Sequence, residues 1–133
     1  MFTIKKIFHI SYGHQLFGYR GKCANLHGHN ARIEVVIKAE KLNAQDMVMD
    51  FTVLGARVKK WLDANLDHKV LLSSKDPLLK TLQAKGQKCF VTEASPTAEV
   101  LARLIFEALK KQHLPVKKVS FQETETSTAS YKE

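Results

Sequence analysis

The stretch HGHNARIEVVIKA, residues 27–39, predicts a β-strand that carries two histidines on its apolar face. Its branched aliphatic residues recur at every second position, at Ile33, Val35 and Ile37. Successive side chains of a strand point to opposite faces, so these aliphatic residues share one face. His27 and His29 have the same parity, and both imidazoles should therefore project toward the core of the protein.

The remaining segments predict an α+β domain with the element order β-β-α-β-α-β. Strands are expected over residues 2–11, 27–39, 88–92 and 116–123, main helices over about 53–66 and from 95 to 113, and a short extra helix over 77–85. The first two strands are joined by a polar loop and should be antiparallel. We expect a four-stranded antiparallel sheet with two main helices on one face, in a single domain over residues 1–133. The uncovered face of the sheet predicts an oligomer.

Polar residues mark where the two main helices should begin. Asp50 or Thr52 is expected to cap the helix that starts near residue 53. Ser95 is expected to cap the second main helix, with Pro96 in its first turn. In both helices apolar residues recur at helical spacing, which predicts a buried stripe on each.

The composition is that of a globular chain with one core. Hydrophobic residues make up 44% and charged residues 26% of the 133 residues, an ordinary balance for a soluble domain. No apolar run reaches the ~18 residues of a membrane span, and residues 1–10 lack the pattern of a signal peptide. Two cysteines are too few for a disulfide scaffold. We therefore expect a cytoplasmic protein that does not bind membranes.

The net charge of +8 predicts an anionic partner without naming it. The basic residues occur as scattered pairs, such as Lys59 and Lys60. No helix-turn-helix, zinc finger or basic stripe with interleaved aromatic residues accompanies them. We therefore do not expect nucleic acid as the partner, and a small polyphosphate substrate would be attracted by the same charge.

The segment GKCANLHGHN, residues 21–30, places Cys23 shortly before the two histidines. A His-x-His pair on a strand supplies two metal ligands from one face, and His14, near the end of the first strand, is the natural third ligand. Three histidines without a fourth protein ligand are typical of a catalytic zinc ion with one open coordination position. Cys23 could itself be a ligand, but we favour a free thiol beside the ion, where a nearby cation favours the reactive thiolate.

Two further groups are candidates for chemistry. Glu123 has the parity of Val119 and Phe121, which indicates a carboxylate on the core-facing side of the last strand. It is either a solvated strand end or a buried acceptor for two N–H donors of a ligand. Asp67 and His68 are either an ordinary polar pair at a helix end or a proton relay, in which Asp67 orients the imidazole charge.

Several segments of the chain together resemble the 6-pyruvoyltetrahydropterin synthase and 6-carboxytetrahydropterin synthase family. The resemblance starts with SYGHQL and GKCANLHGHN, and MVMDFTVL, NLDHKVLL, SPTAEVLARLIFEAL and QETETSTASY follow in the family order. It covers nearly the whole chain. It implies the tunnelling fold (T-fold), in which subunits assemble into an oligomeric β-barrel, usually a hexamer of two trimers, with active sites between subunits.

The same resemblance assigns a role to each candidate residue. It implies a zinc ion held by His14, His27 and His29. It implies that Cys23 is the catalytic base and that Asp67 and His68 assist proton transfer. It also implies that Glu123 anchors the ring of a pterin triphosphate substrate.

The spacing Cys-x3-His-x-His resembles that of the carboxy-type branch, which acts in queuosine and deazapurine biosynthesis. The pyruvoyl-type enzymes of animals have the spacing Cys-x5-His-x-His instead. The implied reaction converts 7,8-dihydroneopterin triphosphate to 6-carboxytetrahydropterin, acetaldehyde and triphosphate. A 6-pyruvoyltetrahydropterin synthase or related pterin side-chain lyase is the alternative on the same site. A non-catalytic, zinc-containing basic module that binds nucleic acid is the alternative from another class.

One segment departs from the family pattern. The family often has two alanines before the first histidine and an arginine after it, whereas this chain has Tyr12, Gly13, His14 and Gln15. All three histidines are retained, so the expected zinc site is unaffected. The missing arginine predicts a difference in how the anion or the side chain of the substrate is held.

Overall fold

Two long antiparallel strands form the centre of the fold. The computed structural model describes all residues from 1 to 133. Strand β1 (Phe2–His14) pairs with β2 (His27–Ala39) along its whole length, and a short 3-10 turn, Lys22–Ala24, lies in the loop between them. The other elements follow in the order α1 (Phe51–Asn65), β3 (Val70–Ser73), α2 (Leu78–Ala84), β4 (Cys89–Thr92), α3 (Ala98–Lys111), β5 (Val116–Thr124) and β6 (Ser127–Lys132).

The six strands form one mixed sheet with the order β4-β3-β1-β2-β5-β6. Strands β1, β2, β5 and β6 are antiparallel to their neighbours, whereas β3 is parallel to β1 and β4 is parallel to β3. The predicted α+β class is correct, but the prediction of a four-stranded, wholly antiparallel sheet was wrong. The two strands that the sequence did not reveal lack apolar alternation, because β3 is buried at three of its four positions and β6 is polar and mostly exposed.

The core lies between the sheet and helices α1 and α3. Alternate residues of β1 and β2 contribute to it, and the stripes of the two helices cover them, with Leu54, Val58 and Leu62 from α1 and Leu101, Ile105 and Leu109 from α3. All of these side chains are buried. The parity that the sequence predicts for Ile33, Val35 and Ile37 is therefore the observed one. None of the helices is long and apolar enough to cross a membrane.

The helix caps differ in part from the prediction. Asp50 caps α1, and its carboxylate accepts the N–H of Thr52 at 2.7 Å. Ser95 does not cap α3, because Thr97 takes that place and its hydroxyl accepts the N–H of Val100 at 3.3 Å. Helix α3 therefore begins at Ala98, and Pro96 lies outside its first turn.

The opposite face of the sheet and three of its strand edges remain open. Strand β3 pairs with β1 only at Gly13 and His14, so the edge of β1 from Phe2 to Ile10 has no partner strand. Strands β4 and β6 form the edges at the two ends of the sheet. The face turned away from the helices carries charged side chains, among them Lys5, which contacts Glu34 at 2.8 Å.

Candidate metal centre and active site

Three imidazoles meet where the end of β1 lies beside the start of β2. His14 is directly opposite His27 in the strand register, and His29 lies two residues further along β2 on the same face. The ring centroids are 4.6, 4.9 and 5.1 Å apart, and one nitrogen from each ring lies within 4.8 Å of the other two. The pairing of two strands thus assembles the three histidines that the sequence nominates as ligands.

Backbone carbonyl groups orient two of the rings. His14 Nδ1 lies 2.8 Å from the carbonyl oxygen of Pro96, and His27 Nδ1 lies 2.6 Å from that of Asn25. A carbonyl oxygen only accepts hydrogen bonds, so each Nδ1 must donate a proton. In a neutral ring this proton leaves the lone pair of Nε2 free, which is the tautomer that binds a metal ion through Nε2.

The free nitrogen atoms are arranged as a bound cation requires. His14 Nε2 lies 3.1 Å from His27 Nε2, and two lone pairs at this distance repel each other unless a proton or a cation lies between them. His29 Nε2 is buried without a hydrogen-bond partner, which is costly for a polar atom. A metal ion among the three rings would satisfy all three atoms. The all-imidazole donor set suits zinc, whose bonds to histidine are about 2.0 Å long.

Burial keeps two of these rings in the neutral form that binds metals. Desolvation lowers the pKa of His14, against the opposing effects of the Pro96 carbonyl and the Glu123 carboxylate. Desolvation is also the main reason why the pKa of His29 is lowered. At neutral pH both rings are therefore uncharged and available as ligands.

Glu123 on β5 brings a carboxylate to the same cluster. Its Oε1 lies 3.3 Å from His14 Nε2 and 3.4 Å from His29 Nε2. The hydroxyl of Tyr12, which is buried and directly opposite His29 on β1, donates to the same oxygen at 3.3 Å. Burial, and then the charge of Glu123, raise the pKa of the Tyr12 hydroxyl, so it stays protonated and remains a donor.

A cleft of about 320 Å³ opens beside Glu123. It lies between the start of α3, at Ala98 and Glu99, and residues 127–130 of β6. A larger cleft of about 530 Å³ lies between β1 and α1, and neither cleft is lined by the three clustered histidines. Clefts of either volume can hold a small molecule. We take the smaller one as the candidate substrate site because it adjoins the histidine cluster through Glu123.

Cys23 lies in the turn between β1 and β2. Its backbone carbonyl accepts the N–H of Leu16 at 2.9 Å, which holds the turn next to the end of β1. The thiol is free and half-buried. It is not one of the three side chains whose donor atoms converge.

Asp67 and His68 form a pair at the edge of β1, outside the cluster. Asp67 Oδ2 lies 3.0 Å from His68 Nδ1, and Asp67 Oδ1 accepts the N–H of Ser11 at 2.8 Å. The His68 side chain is 80% exposed, and the backbone φ of this residue is +59°, a conformation that is uncommon for residues other than glycine. Within one chain the structure does not bring this pair to the three histidines.

Two contributors to the site were not identified as such from the sequence. Tyr12 has the same parity as His14 on β1, so the alternation that places the imidazole at the cluster could have placed the phenol there as well. The role of the Pro96 carbonyl could not be predicted, because a sequence does not show which backbone carbonyl accepts a hydrogen bond from a side chain.

The amide of Gln15, where an arginine was expected, donates to the buried carboxylate of Asp76 at 2.9 and 3.2 Å.

Comparison with known proteins gives consistent matches along the chain. The family model described as 6-pyruvoyl tetrahydropterin synthase matches residues 3–133. A 6-carboxy-5,6,7,8-tetrahydropterin synthase of Aquifex aeolicus is 38% identical over 125 residues, which cover 84% of this chain and 76% of the relative.

Solved structures show the same fold. An uncharacterized protein of Wolinella succinogenes matches with a TM-score of 0.83 at 25% identity, over 99% of this chain and 98% of that one. The 6-pyruvoyl tetrahydropterin synthase of Caenorhabditis elegans matches with a TM-score of 0.73 at 25% identity, over 99% of this chain and 95% of that one. The overall fold of this chain is therefore shared with a 6-pyruvoyl tetrahydropterin synthase and with an uncharacterized protein.

Zinc should bind at one ion per chain and stabilise the fold. At free zinc of about 100 times the dissociation constant, binding adds about 2.7 kcal/mol to the free energy of unfolding. His29→Ala should abolish this stabilisation, whereas His9→Ala, which removes an exposed imidazole elsewhere on β1, should retain it. Metal content after dialysis and melting temperature with added zinc measure both effects. Equal zinc content in the His29→Ala variant and the parent protein would contradict the site.

The charge of Asp67 should stabilise the fold in a pH-dependent way. Burial alone would raise the pKa of Asp67, but the Ser11 N–H and His68 outweigh it and lower the pKa below the usual 3.8. A lowered carboxyl pKa stabilises the fold above the unfolded value, and that contribution is lost as the pH falls through the folded value. Asp67→Asn keeps the acceptor for Ser11 and should lower the free energy of unfolding by about 1 kcal/mol near neutral pH.

This difference between the parent protein and Asp67→Asn should shrink as the pH falls below 3.8, and urea unfolding at several pH values measures it. Asp63→Asn is the matched control, because the carboxylate of Asp63 forms only an exposed surface pair with Lys59. A difference that stays constant with pH would show that the charge of Asp67 does not act in this way.

Proposed function

The chain belongs to the 6-pyruvoyl tetrahydropterin synthase family, and from this premise we propose that it is a zinc-dependent 6-carboxy-5,6,7,8-tetrahydropterin synthase. The proposed reaction converts 7,8-dihydroneopterin triphosphate to 6-carboxytetrahydropterin, acetaldehyde and triphosphate. The Aquifex aeolicus relative named for this activity supports the proposal, as does the Cys-x3-His-x-His spacing. The observation that carries it is the cluster of three imidazoles with a carboxylate and a cleft beside it, preceded in the chain by a turn with a free thiol.

In this proposal the cleft beside Glu123 receives the pterin ring. The carboxylate of Glu123 can accept two N–H donors from the guanidine-like edge of such a ring. The basic surface of the chain, with a net charge of +8, attracts the triphosphate. Arg20 and Lys22 are exposed in the loop that carries Cys23, and we assign the triphosphate contact to them.

Proton transfer in this proposal belongs to Cys23 and His68. A zinc ion held by the three histidines would supply a Lewis acid that polarises oxygen atoms of the substrate side chain. Cys23, half-buried in the turn between β1 and β2, takes a proton from the substrate side chain as a thiolate base. His68 moves the proton onward, and Asp67, which contacts its Nδ1, stabilises the positive imidazole.

We further propose that Cys23 and His68 of one active site belong to different subunits. Within one chain Asp67 and His68 pair with each other and with Ser11, away from the histidine cluster. The open edges of β1 and β6 and the uncovered sheet face offer surfaces for assembly into a β-barrel. A hexamer of two trimers is the assembly that we propose. The two free cysteines support a cytoplasmic location, where thiols stay reduced.

A product assay tests the reaction. The zinc-loaded protein, given 7,8-dihydroneopterin triphosphate, should release 6-carboxytetrahydropterin and acetaldehyde, which mass spectrometry identifies. Cys23→Ala should keep its zinc and lose turnover by about 100-fold or more, because it removes the general base. Cys89→Ala is the matched control, since this thiol lies on β4, outside the site.

Each other outcome of this assay has a definite meaning. A pyruvoyl product would overturn the assignment to the carboxy-type branch and leave the site in place. Loss of zinc from Cys23→Ala would show that the thiol is a ligand and not the base. Absence of turnover, together with salt-sensitive binding of nucleic acid that survives Cys23→Ala, would favour the non-catalytic basic module.

Mixed oligomers test the sharing of the site between subunits. Cys23→Ala and His68→Ala should each be inactive alone, and co-expression should restore activity. Random assembly of equal amounts gives about a quarter of the sites both native residues, so about a quarter of the parent turnover is expected. Cys23→Ala co-expressed with Cys23→Ala,His68→Ala is the control and should stay inactive. No recovery in verified hybrids would place both residues of a site in one subunit.

A further inference from the structure

One carboxylate oxygen occupies a special position relative to the histidine cluster. Ligand atoms at the corners of a tetrahedron with bonds of about 2.0 Å lie about 3.3 Å from one another. His14 Nε2 lies 3.1 Å from His27 Nε2, and Glu123 Oε1 lies 3.3 Å and 3.4 Å from the Nε2 atoms of His14 and His29. The carboxylate oxygen thus lies at this ligand-to-ligand distance from two of the three imidazole nitrogens, those of His14 and His29.

From this geometry we infer that the Glu123 carboxylate is the fourth ligand of the metal ion while the substrate cleft is empty. The inference rests on the metal site of the proposed function, but not on the identity of the substrate or product. It gives Glu123 a role at the ion in addition to the proposed contact with the ring. The resting site is then closed, with four protein ligands.

The chemistry of the converging atoms favours a cation at their centre. His14 and His27 donate through Nδ1 to backbone carbonyls, so their Nε2 atoms present lone pairs. Glu123 Oε1 is also an acceptor, and neither lysine nor arginine contacts this carboxylate. Acceptors at hydrogen-bond distance repel each other unless they share a positive charge. A metal ion among them removes the repulsion and satisfies the buried His29 Nε2 as well.

Tyr12 holds the carboxylate in this place. Its hydroxyl donates to Glu123 Oε1 at 3.3 Å, and its ring packs edge-on against His14 and Phe121 with centroid distances of 5.1 and 5.6 Å. The ring is buried and cannot swing away without opening the core. Tyr12 is therefore a positioning residue that acts on the ion through Glu123.

Because Glu123 would bind either the metal ion or the pterin ring, the substrate side chain can reach the ion only when the ring is bound. The cleft also borders Glu123, so a ring that binds its carboxylate competes with the ion for the same group. When the carboxylate turns to the ring, the fourth ligand position becomes free for the side chain of the same molecule. Small molecules without a ring would leave the carboxylate in place and the position closed.

The test uses cobalt as a spectroscopic substitute for zinc in the full-length protein, without substrate. Four-coordinate Co²⁺ absorbs visible light more strongly than Co²⁺ of higher coordination number, and its bands shift with ligand type. Glu123→Gln should change the visible spectrum and weaken metal binding by about 10- to 100-fold in chelator competition. Tyr12→Phe should change the spectrum in the same direction and weaken binding less. Glu125→Gln, the same change on an exposed neighbour, should match the parent protein.

A pterin without triphosphate, neopterin, probes the competition. Its addition to the Co²⁺ protein should shift the parent spectrum toward that of Glu123→Gln and leave the Glu123→Gln spectrum nearly unchanged. A Glu123→Gln spectrum and metal affinity identical to those of the parent would overturn the inference. Because every readout is taken without turnover, a failed product assay would overturn the proposed reaction and leave this result standing.

Discussion

The register between β1 and β2 is the constraint on which the candidate site depends. The two strands pair without interruption from Phe2 opposite Ala39 to His14 opposite His27. A shift of one residue would turn every side chain of β2 to the other face and separate both of its histidines from His14. The same shift would expose Ile33, which is fully buried. The hydrophobic core therefore holds the three imidazoles together, although none of its aliphatic side chains needs to contact an ion.

The start of α3 is the second element that the site requires. Because Thr97 is the cap, its hydroxyl accepts the N–H of Val100, which in a longer helix would bond to the carbonyl of Pro96. That carbonyl is left free and accepts the Nδ1 proton of His14 instead. A cap at Ser95 would have used this acceptor within the helix. The helix boundary thus determines which nitrogen of His14 faces the cluster.

Much of the fold and of the candidate site could be predicted from the sequence, because buried apolar residues recur at the spacing of a strand or a helix. Strand β2 was predicted with its observed bounds, and the family resemblance is confirmed by the match over residues 3–133. Strand β6 was missed because its polar side chains gain little from burial, and pairing with β5 alone makes it a strand. Tyr12 was noticed only as a departure from the family, since sequence spacing does not show that it meets Glu123 from a distant strand.

The polar pair at Asp67 and His68 divides the edge of β1 into two parts. The N–H of Ser11 donates to the Asp67 carboxylate, and its carbonyl accepts the N–H of His68, so both backbone groups of Ser11 are used within the chain. Beyond this point β1 pairs with β3, and before it the edge from Phe2 to Ile10 is open. A strand of another subunit that paired with the open edge would end beside His68. In the assembly that we propose, the exposed imidazole would therefore lie where a neighbouring subunit begins, as the proposed proton relay between subunits requires.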